Sequence, residues 1–218
     1  MPLLTQSIQM KRLILCALFL GAVGGLLSDL LLVFGWFFYP EGRNFFTNTV
    51  FFFADRLLFM TPICMTIGTA KRSSEQVRQG LLVGAISAIA ASTITLFSIM
   101  RLRENSFFHP WFNHIFISTA LLGVSAGVLF QLSENAKRWN YLLIGLFAGL
   151  LAGLSHYLTT FLITVIAIFL SKSSMDIAML FEKFITPLID GTAQSVLIWC
   201  CIALAERNTR GKSEVEAS

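Results

Sequence analysis

Six long apolar stretches constrain this chain more than any other feature of its sequence. Each exceeds the roughly 20 residues that an α-helix needs to cross the hydrocarbon core of a bilayer. They cover residues 13–38, 45–70, 79–100, 111–132, 140–170 and 182–205. Backbone polar groups in hydrocarbon must pair internally, and these stretches lack the alternation of barrel strands, so each is predicted to be a transmembrane helix.

The composition excludes a water-soluble domain. Hydrophobic residues make up 56% of the chain and charged residues 13%, against about 25% charged residues in an ordinary soluble protein. We therefore expect an all-α, polytopic protein whose solvent is the lipid bilayer. Its predicted parts are an N-terminal tail over 1–12, a six-helix transmembrane domain over 13–205 and a C-terminal tail over 206–218.

The charges between the stretches predict the orientation of the protein in the membrane. Ten of the 16 basic residues lie on the side that holds both termini, five lie on the other side, and Arg56 lies within the second stretch. Cytoplasmic loops carry the excess of Lys and Arg, so both termini and both tails are predicted to be cytoplasmic. A net charge of +4 spread over many loops does not indicate a nucleic-acid partner. The short loops favour a bacterial cytoplasmic (inner) membrane as the location.

Ionisable side chains within the stretches are the candidate functional residues. A charge near the bilayer centre costs free energy, so such residues face the bundle interior or water and find partners. Arg56 is predicted to pair with Asp29, Asp190 or both. Asp55 and Arg56 are not expected to face one narrow site, because successive residues of a helix point about 100° apart. The predicted ligand or ion cavity opens to the outer side and is lined by Asp29, Asp55, Arg56, His156, Asp190 and Gln194.

Two histidines are candidate pH-sensing residues. An imidazole changes charge between about pH 5 and pH 8, so His114 and His156 are placed to respond to an acidic exterior. The sequence has no phosphate-binding loop, zinc-protease motif or nucleophile-elbow motif, and its four cysteines lack the spacing of a metal site. We therefore expect neither an enzyme, nor a cofactor, nor a metal site.

Small residues predict close contacts between helices. Gly21 and Gly25 lie four residues apart in the first stretch, as do Gly149 and Gly153 in the fifth. This spacing lets two helix backbones approach each other closely. The two faces are expected to serve either packing within the bundle or the contact of a homo-oligomer.

Two proline-containing segments resemble each other. Residues 59–63 read FMTPI in the second stretch, residues 184–188 read FITPL in the sixth, and each segment is followed by Gly-Thr-Ala. Pro62 and Pro187 are both expected to kink their helices, because proline lacks the backbone N–H that a helix requires. The likeness is either an internal repeat of the transporter type or chance similarity between apolar helices.

Several short motifs are shared with a known family of membrane proteins. They are GxxGGxxS over residues 21–28, His114-Ile115 in the fourth stretch, Ala148-Gly149 with His156 in the fifth, and Glu206-Arg207 after the sixth. In these motifs the chain is similar to the YagU-like family of bacterial inner-membrane proteins. The resemblance implies a role in acid tolerance, and it implies no catalytic residue because the family defines none.

Two functional hypotheses remain from the sequence. The first is a membrane protein that transports or senses a small solute or ion, with protons as a candidate. The second is a non-transporting scaffold or assembly partner of a larger complex. Convergence of the ionisable residues on one site favours the first hypothesis, and separate structural pairs favour the second.

Overall fold

The computed structural model describes residues 2–38, 45–102, 110–134, 140–171 and 185–215, and every element in these ranges is helical. We number the helices in chain order. They are α1 (Pro2–Phe38), α2 (Phe45–Cys64), α3 (Thr66–Lys71), α4 (Ser74–Leu102), α5 (Pro110–Glu134), α6 (Asn140–Ser171) and α7 (Thr186–Val215). Both α1 and α7 extend beyond the predicted spans, into the sequence assigned to the two tails.

Six segments of these helices are long and apolar enough to cross a membrane. They are Met10–Leu31, Thr49–Lys71, Ser74–Phe97, Ile115–Glu134, Asn140–Ile163 and Thr186–Asn208. The second segment combines α2 and α3, and every other segment belongs to one helix. Large apolar side chains such as Phe19, Phe147 and Phe161 are exposed on the outside of the bundle, where lipid replaces water as the contacting solvent. The prediction of an all-helical, six-span membrane protein is therefore confirmed, whereas the cytoplasmic placement of the termini stays a prediction.

The six spans form a ring in chain order. Each span packs against the spans before and after it, and α7 returns to pack against α1. At one end of the bundle, Lys71 Nζ lies 2.5 Å from Glu134 Oε1 and donates a hydrogen bond to the carbonyl oxygen of Ser133. We call this the Lys71 end. The opposite end, where α1 and α6 finish and α2 and α7 begin, is called the Asp190 end.

Glycine contacts close the ring between α1 and α7. A Cβ atom added to Gly21 would strike the backbone of Gly191, and one added to Gly25 would strike the carbonyl of Pro187. The two backbones therefore touch without intervening side chains. Such packing replaces the hydrophobic effect as the source of helix association in lipid.

A second pair of helices, α5 and α6, is also packed through glycine residues. Added Cβ atoms at Gly123 and Gly145 would each strike the other residue's carbonyl, and one at Gly149 would strike the backbone of Thr119. The glycine faces predicted to serve packing or a homo-oligomer thus contact helices of the same chain. A second copy bound through them would have to replace these contacts.

The second span is interrupted in its apolar half. Pro62 lies inside α2, and a turn at Met65 separates α2 from α3. Next to this break, the carbonyl oxygen of Ile63 accepts a hydrogen bond of 3.1 Å from the indole Nε1 of Trp199, a fully buried residue of α7. The indole thus provides a donor where the regular helical pattern is interrupted, as backbone at membrane depth requires.

Pro187 is the second residue of α7, and Ile185, directly before this helix, is in a π-helical turn. Residues 172–184 lie outside the described ranges, so the kink expected at Pro187 stays a prediction. Pro62, in contrast, lies in the second half of α2.

We predict that Gly25→Ala lowers the free energy of unfolding by about 1–3 kcal/mol, because overpacking forces two backbones apart. The measurement is reversible unfolding of the purified protein in mild detergent. Gly153→Ala is the matched control, because its nearest contacts are side-chain atoms of Thr119 and Phe116, which can shift. Equal effects of the two substitutions would contradict the assigned α1–α7 contact.

Candidate functional site

The directions of the helices bring the ionisable residues to one half of the bundle. Asp29 lies in the last third of α1, and His156 lies in the second half of α6. Both helices finish at the Asp190 end. Asp55 with Arg56 lies in the first part of the second span, and Asp190 lies near the start of α7. Both of these helices begin at that same end, so the predicted grouping follows from alternating spans.

Asp190 is the centre of the contacts between α6 and α7. Its Oδ2 lies 2.6 Å from Nδ1 of His156 and accepts a hydrogen bond of 2.8 Å from Nε2 of Gln194. An ionised carboxylate only accepts hydrogen bonds, so opposite an ionised Asp190 the His156 ring donates from Nδ1, and Nε2 is the second ring nitrogen that can bind a proton. Asp190 is buried, whereas the His156 side chain retains 24% of its exposure.

Asp55 is the centre of the contacts between α1 and α2. Its Oδ1 accepts a short hydrogen bond from Oγ of Ser28, and its Oδ2 lies 3.3 Å from Nε of Arg56. The guanidinium also lies over the ring of Phe52, with its carbon 5.5 Å from the ring centroid. The expectation that Asp55 and Arg56 cannot face one site is therefore wrong. The long, flexible arginine side chain reaches back toward the carboxylate and overcomes the angle between their Cα–Cβ bonds.

Arg56 connects these two groups of contacts. It interacts electrostatically with Asp190 as well as with Asp55. Among the described residues Arg56 forms an ion pair with Asp55, and its predicted pairing with Asp29, Asp190 or both stays a prediction. We call the connected set the polar cluster, consisting of Ser28, Asp55, Arg56, His156, Asp190 and Gln194.

The local sequence explains why the two groups meet. A Cβ atom at Gly24 would strike the carbonyl of Phe59, so α1 lies directly against α2 there. Ser28 is one turn after Gly24 and Asp55 is one turn before Phe59, which places both on this contact in antiparallel helices. The close contact of α1 with α7 at Gly191 then brings the neighbouring Asp190 toward α2.

The other half of the bundle contrasts with the polar cluster. Its interior is filled by apolar side chains such as Met60, Ile63, Ile198, Trp199 and Ile202, each fully buried. Buried hydroxyl groups are present as well, on Thr66 near the Lys71 end and on Ser87 and Ser125 near the middle of the bundle. The arrangement is an asymmetric bundle, in which the polar cluster lies toward the Asp190 end and the large apolar side chains fill the interior toward the Lys71 end.

The remaining predicted site residues are placed as follows. Asp29 is half-buried beside Ser28 on α1 and adds a carboxylate to the same half of the bundle. His114 belongs to α5, but its side chain lies outside the described part of the structure. In the described ranges, no three His, Cys, Asp or Glu side chains are grouped so that they could hold a metal ion.

Sequence reasoning missed Ser28 as a site residue. The spacing of small residues indicates that Ser28 lies at a helix contact, because Ser28 continues the helix face of Gly21, Gly24 and Gly25. A polar residue on a face made of glycines must lie against another helix. Ser28 donates the hydrogen bond that fixes one oxygen of Asp55.

No family model, curated protein or solved structure matches this chain. The similarity to the YagU-like family therefore stays a prediction. The geometry of the polar cluster is the basis on which a function can be proposed.

We predict that Arg56→Met lowers the free energy of unfolding by about 3–5 kcal/mol, because it leaves buried carboxylates without their cation. The double substitution Arg56→Met with Asp55→Asn should recover part of this loss, since it also removes one of those charges. Both values come from unfolding of the purified protein in detergent. Full stability of Arg56→Met, or no recovery in the double variant, would contradict the assigned ion pair.

Proposed function

We propose that this multi-pass membrane protein transports or senses a small solute or ion through the polar cluster, with His156 and Asp190 as its protonatable pair. The observation that carries the proposal is the connection of this pair to Arg56 and Asp55. Four ionisable side chains from three helices interact within one half of an apolar bundle. Intramembrane charges are costly, and they mark ion pathways and proton relays in membrane proteins.

The protonation chemistry of His156 supports a proton-linked role. A histidine side chain changes charge between about pH 5 and pH 8. The pH outside the cell crosses the same range when a neutral medium becomes acidic. The contact of its Nδ1 with Asp190 orients the ring and leaves Nε2 to exchange protons. His156 is also more exposed than its partner, which favours the imidazole as the group of the pair that exchanges protons with water.

The proposed location follows from the distribution of charge. Basic residues are concentrated at the Lys71 end, which the positive-inside rule assigns to the cytoplasm. The polar cluster then lies in the extracytoplasmic half of a bacterial cytoplasmic membrane. This placement suits a response to external acid, in agreement with the acid tolerance that the YagU-like resemblance implies. A non-enzymatic role completes the proposal.

We predict that proteoliposomes containing the chain take up protons faster than protein-free vesicles when the external pH falls. His156→Gln and Asp190→Asn should reduce the uptake to the protein-free rate, because each removes a protonatable group of the pair. Lys71→Gln is the control, since it breaks an ion pair at the opposite end and should leave the uptake unchanged. The readout is a pH-sensitive dye enclosed in the vesicles.

The same vesicles distinguish a sensor from a transporter. If the chain is a sensor, we expect no proton uptake. We then expect acid to change the intrinsic tryptophan fluorescence of the protein, and His156→Gln to abolish that change. Absence of both responses in folded protein would contradict the proposed function and favour the non-transporting scaffold.

A further inference from the structure

On the outside of the bundle, the second span is set back between the helices on either side of it. No residue of the range 51–68 is exposed, although α1 and α4, which pack against this span, expose many large apolar side chains. Leu58, Pro62 and Met65 are partly buried, and their spacing along the chain places them on one face of a helix. This face is therefore the bottom of a depression between α1 and α4.

The face formed by these three residues points toward lipid. Met60 and Ile63, on the opposite side of the helix, are fully buried in the core of the bundle. Cβ atoms added to Gly24 of α1 and Gly84 of α4 would strike backbone atoms of the span, so both neighbours lie directly against it. We call the depression the α2 groove. Its sides are α1 and α4, and its floor consists of Leu58, Pro62 and Met65.

Three exposed arginines surround the α2 groove at the Lys71 end. Arg72 directly follows α3, Arg12 lies on α1, and Arg78 lies on α4. The contact between Gly24 and Phe59 sets the register of the antiparallel helices α1 and α2, and it places Arg12 level with the end of α3. The three guanidinium groups therefore come from three neighbouring elements at one level of the bundle.

The charge at this end of the groove is positive. The elements that border the groove there carry five basic residues and one acidic residue, and all six belong to the described part of the chain. They are Lys11, Arg12, Lys71, Arg72, Arg78 and Glu75. Lys71 forms an ion pair with Glu134 of α5, whereas the other four basic residues form no ion pair with a described acidic residue. The end of the groove therefore attracts anions.

Arg72 has a backbone conformation that favours glycine. Its φ angle is 56°, the only positive φ of a non-glycine residue in the described part of the chain. The backbone N–H of Ser73 donates a hydrogen bond of 3.0 Å to the carbonyl oxygen of Gly68, which closes the end of α3. Glycine is the usual residue at such a helix end, because a side chain costs free energy in the left-handed region. An arginine retained there indicates that its side chain has a use of its own.

Exposed apolar side chains continue from the arginines toward the middle of the membrane. Leu82 and Ile86 follow Arg78 at helical spacing on α4, and Phe19 follows Arg12 on α1. The surface thus combines a cationic end with an apolar length that runs along the helices. A free phosphate would use only the cationic end, whereas a phospholipid with an anionic headgroup matches both parts.

We propose that the α2 groove binds one phospholipid with an anionic headgroup. Arg12, Arg72 and Arg78 hold its phosphate, and its acyl chains lie along the floor and sides of the groove. The planar guanidinium group donates paired hydrogen bonds to phosphate oxygens, and basic pockets between transmembrane helices bind anionic headgroups. This inference goes beyond the proposed function, because it uses no residue of the polar cluster.

The test is native mass spectrometry of the purified full-length chain in a neutral detergent, titrated with phosphatidylglycerol or with zwitterionic phosphatidylcholine of the same acyl chains. We expect the first phosphatidylglycerol to bind at least about tenfold more tightly, because each arginine adds to the affinity for an anionic headgroup. Equal affinities for the two lipids would overturn the proposal. Water-soluble glycerol phosphate should not displace the lipid, and displacement would assign the site to a free phosphate ester.

Two matched variants locate the site. Arg78→Gln should weaken phosphatidylglycerol binding about fivefold and leave phosphatidylcholine binding unchanged, because it removes one positive charge at the groove. Arg207→Gln removes another exposed arginine at the Lys71 end, on α7, which lies on the far side of α1 from the groove. It should bind both lipids as the wild type does. Equal losses in the two variants would indicate unspecific attraction to a basic surface and contradict the groove.

Arg72→Gly separates lipid binding from stability. Glycine suits the left-handed backbone, so the thermal unfolding temperature in lipid-free detergent should not fall, while the affinity for phosphatidylglycerol should fall about fivefold. Wild-type affinity in this variant would overturn the phosphate contact assigned to Arg72. A variant that fails to fold is recognised by its thermal unfolding profile, and in that event Arg78→Gln with its control decides the proposal.

Discussion

A carboxylate inside a hydrocarbon layer must be balanced by donors and positive charge, and Asp190 meets this constraint through three different helices. His156 from α6 and Gln194 from its own helix donate hydrogen bonds to the same oxygen, and Arg56 from α2 provides the positive charge. Removing an ion from water costs several kcal/mol unless partners replace the solvent. The arrangement of the bundle around Asp190 can be understood as the means of bringing these partners together.

Backbone contact between α1 and α7 is the mechanical basis of that arrangement. The last span must close against the first before Asp190 can approach α2, and side chains larger than glycine at Gly21, Gly25 or Gly191 would keep the helices apart. A similar glycine contact fixes α5 against α6, which positions His156. The apolar half of the bundle is stabilised differently, by large side chains around Trp199 and by its hydrogen bond to Ile63. Large apolar side chains thus stabilise one half, whereas contacts among polar side chains connect the helices in the other half.

Much of the fold was predictable because hydrocarbon imposes strict rules on a spanning chain. The number, type and approximate limits of the spans follow from apolar length, and the grouping of Asp29, Asp55, His156 and Asp190 in one half follows from alternating helix direction. The contacts between individual side chains were not predictable. Spacing along a helix suggested that Asp55 and Arg56 diverge, yet the reach of the arginine side chain decides their contact.

The partners of the small-residue faces have the same origin in three-dimensional packing. The helices that the Gly21 and Gly149 faces contact depend on the order of spans around the ring. That order places α7 beside α1, although these spans are the most distant in sequence. Ser28 acquires its role from that packing rather than from any motif.

The central claim is that the ionisable residues form one connected cluster instead of two independent pairs. A double-mutant cycle between Arg56 and Asp190, which belong to different pairs, tests this most directly. The free energies of unfolding in detergent would be measured for Arg56→Met, Asp190→Asn and the double variant. One cluster predicts a coupling energy of about 0.5–3 kcal/mol, whereas additive effects within about 0.5 kcal/mol would show that the two pairs are separate.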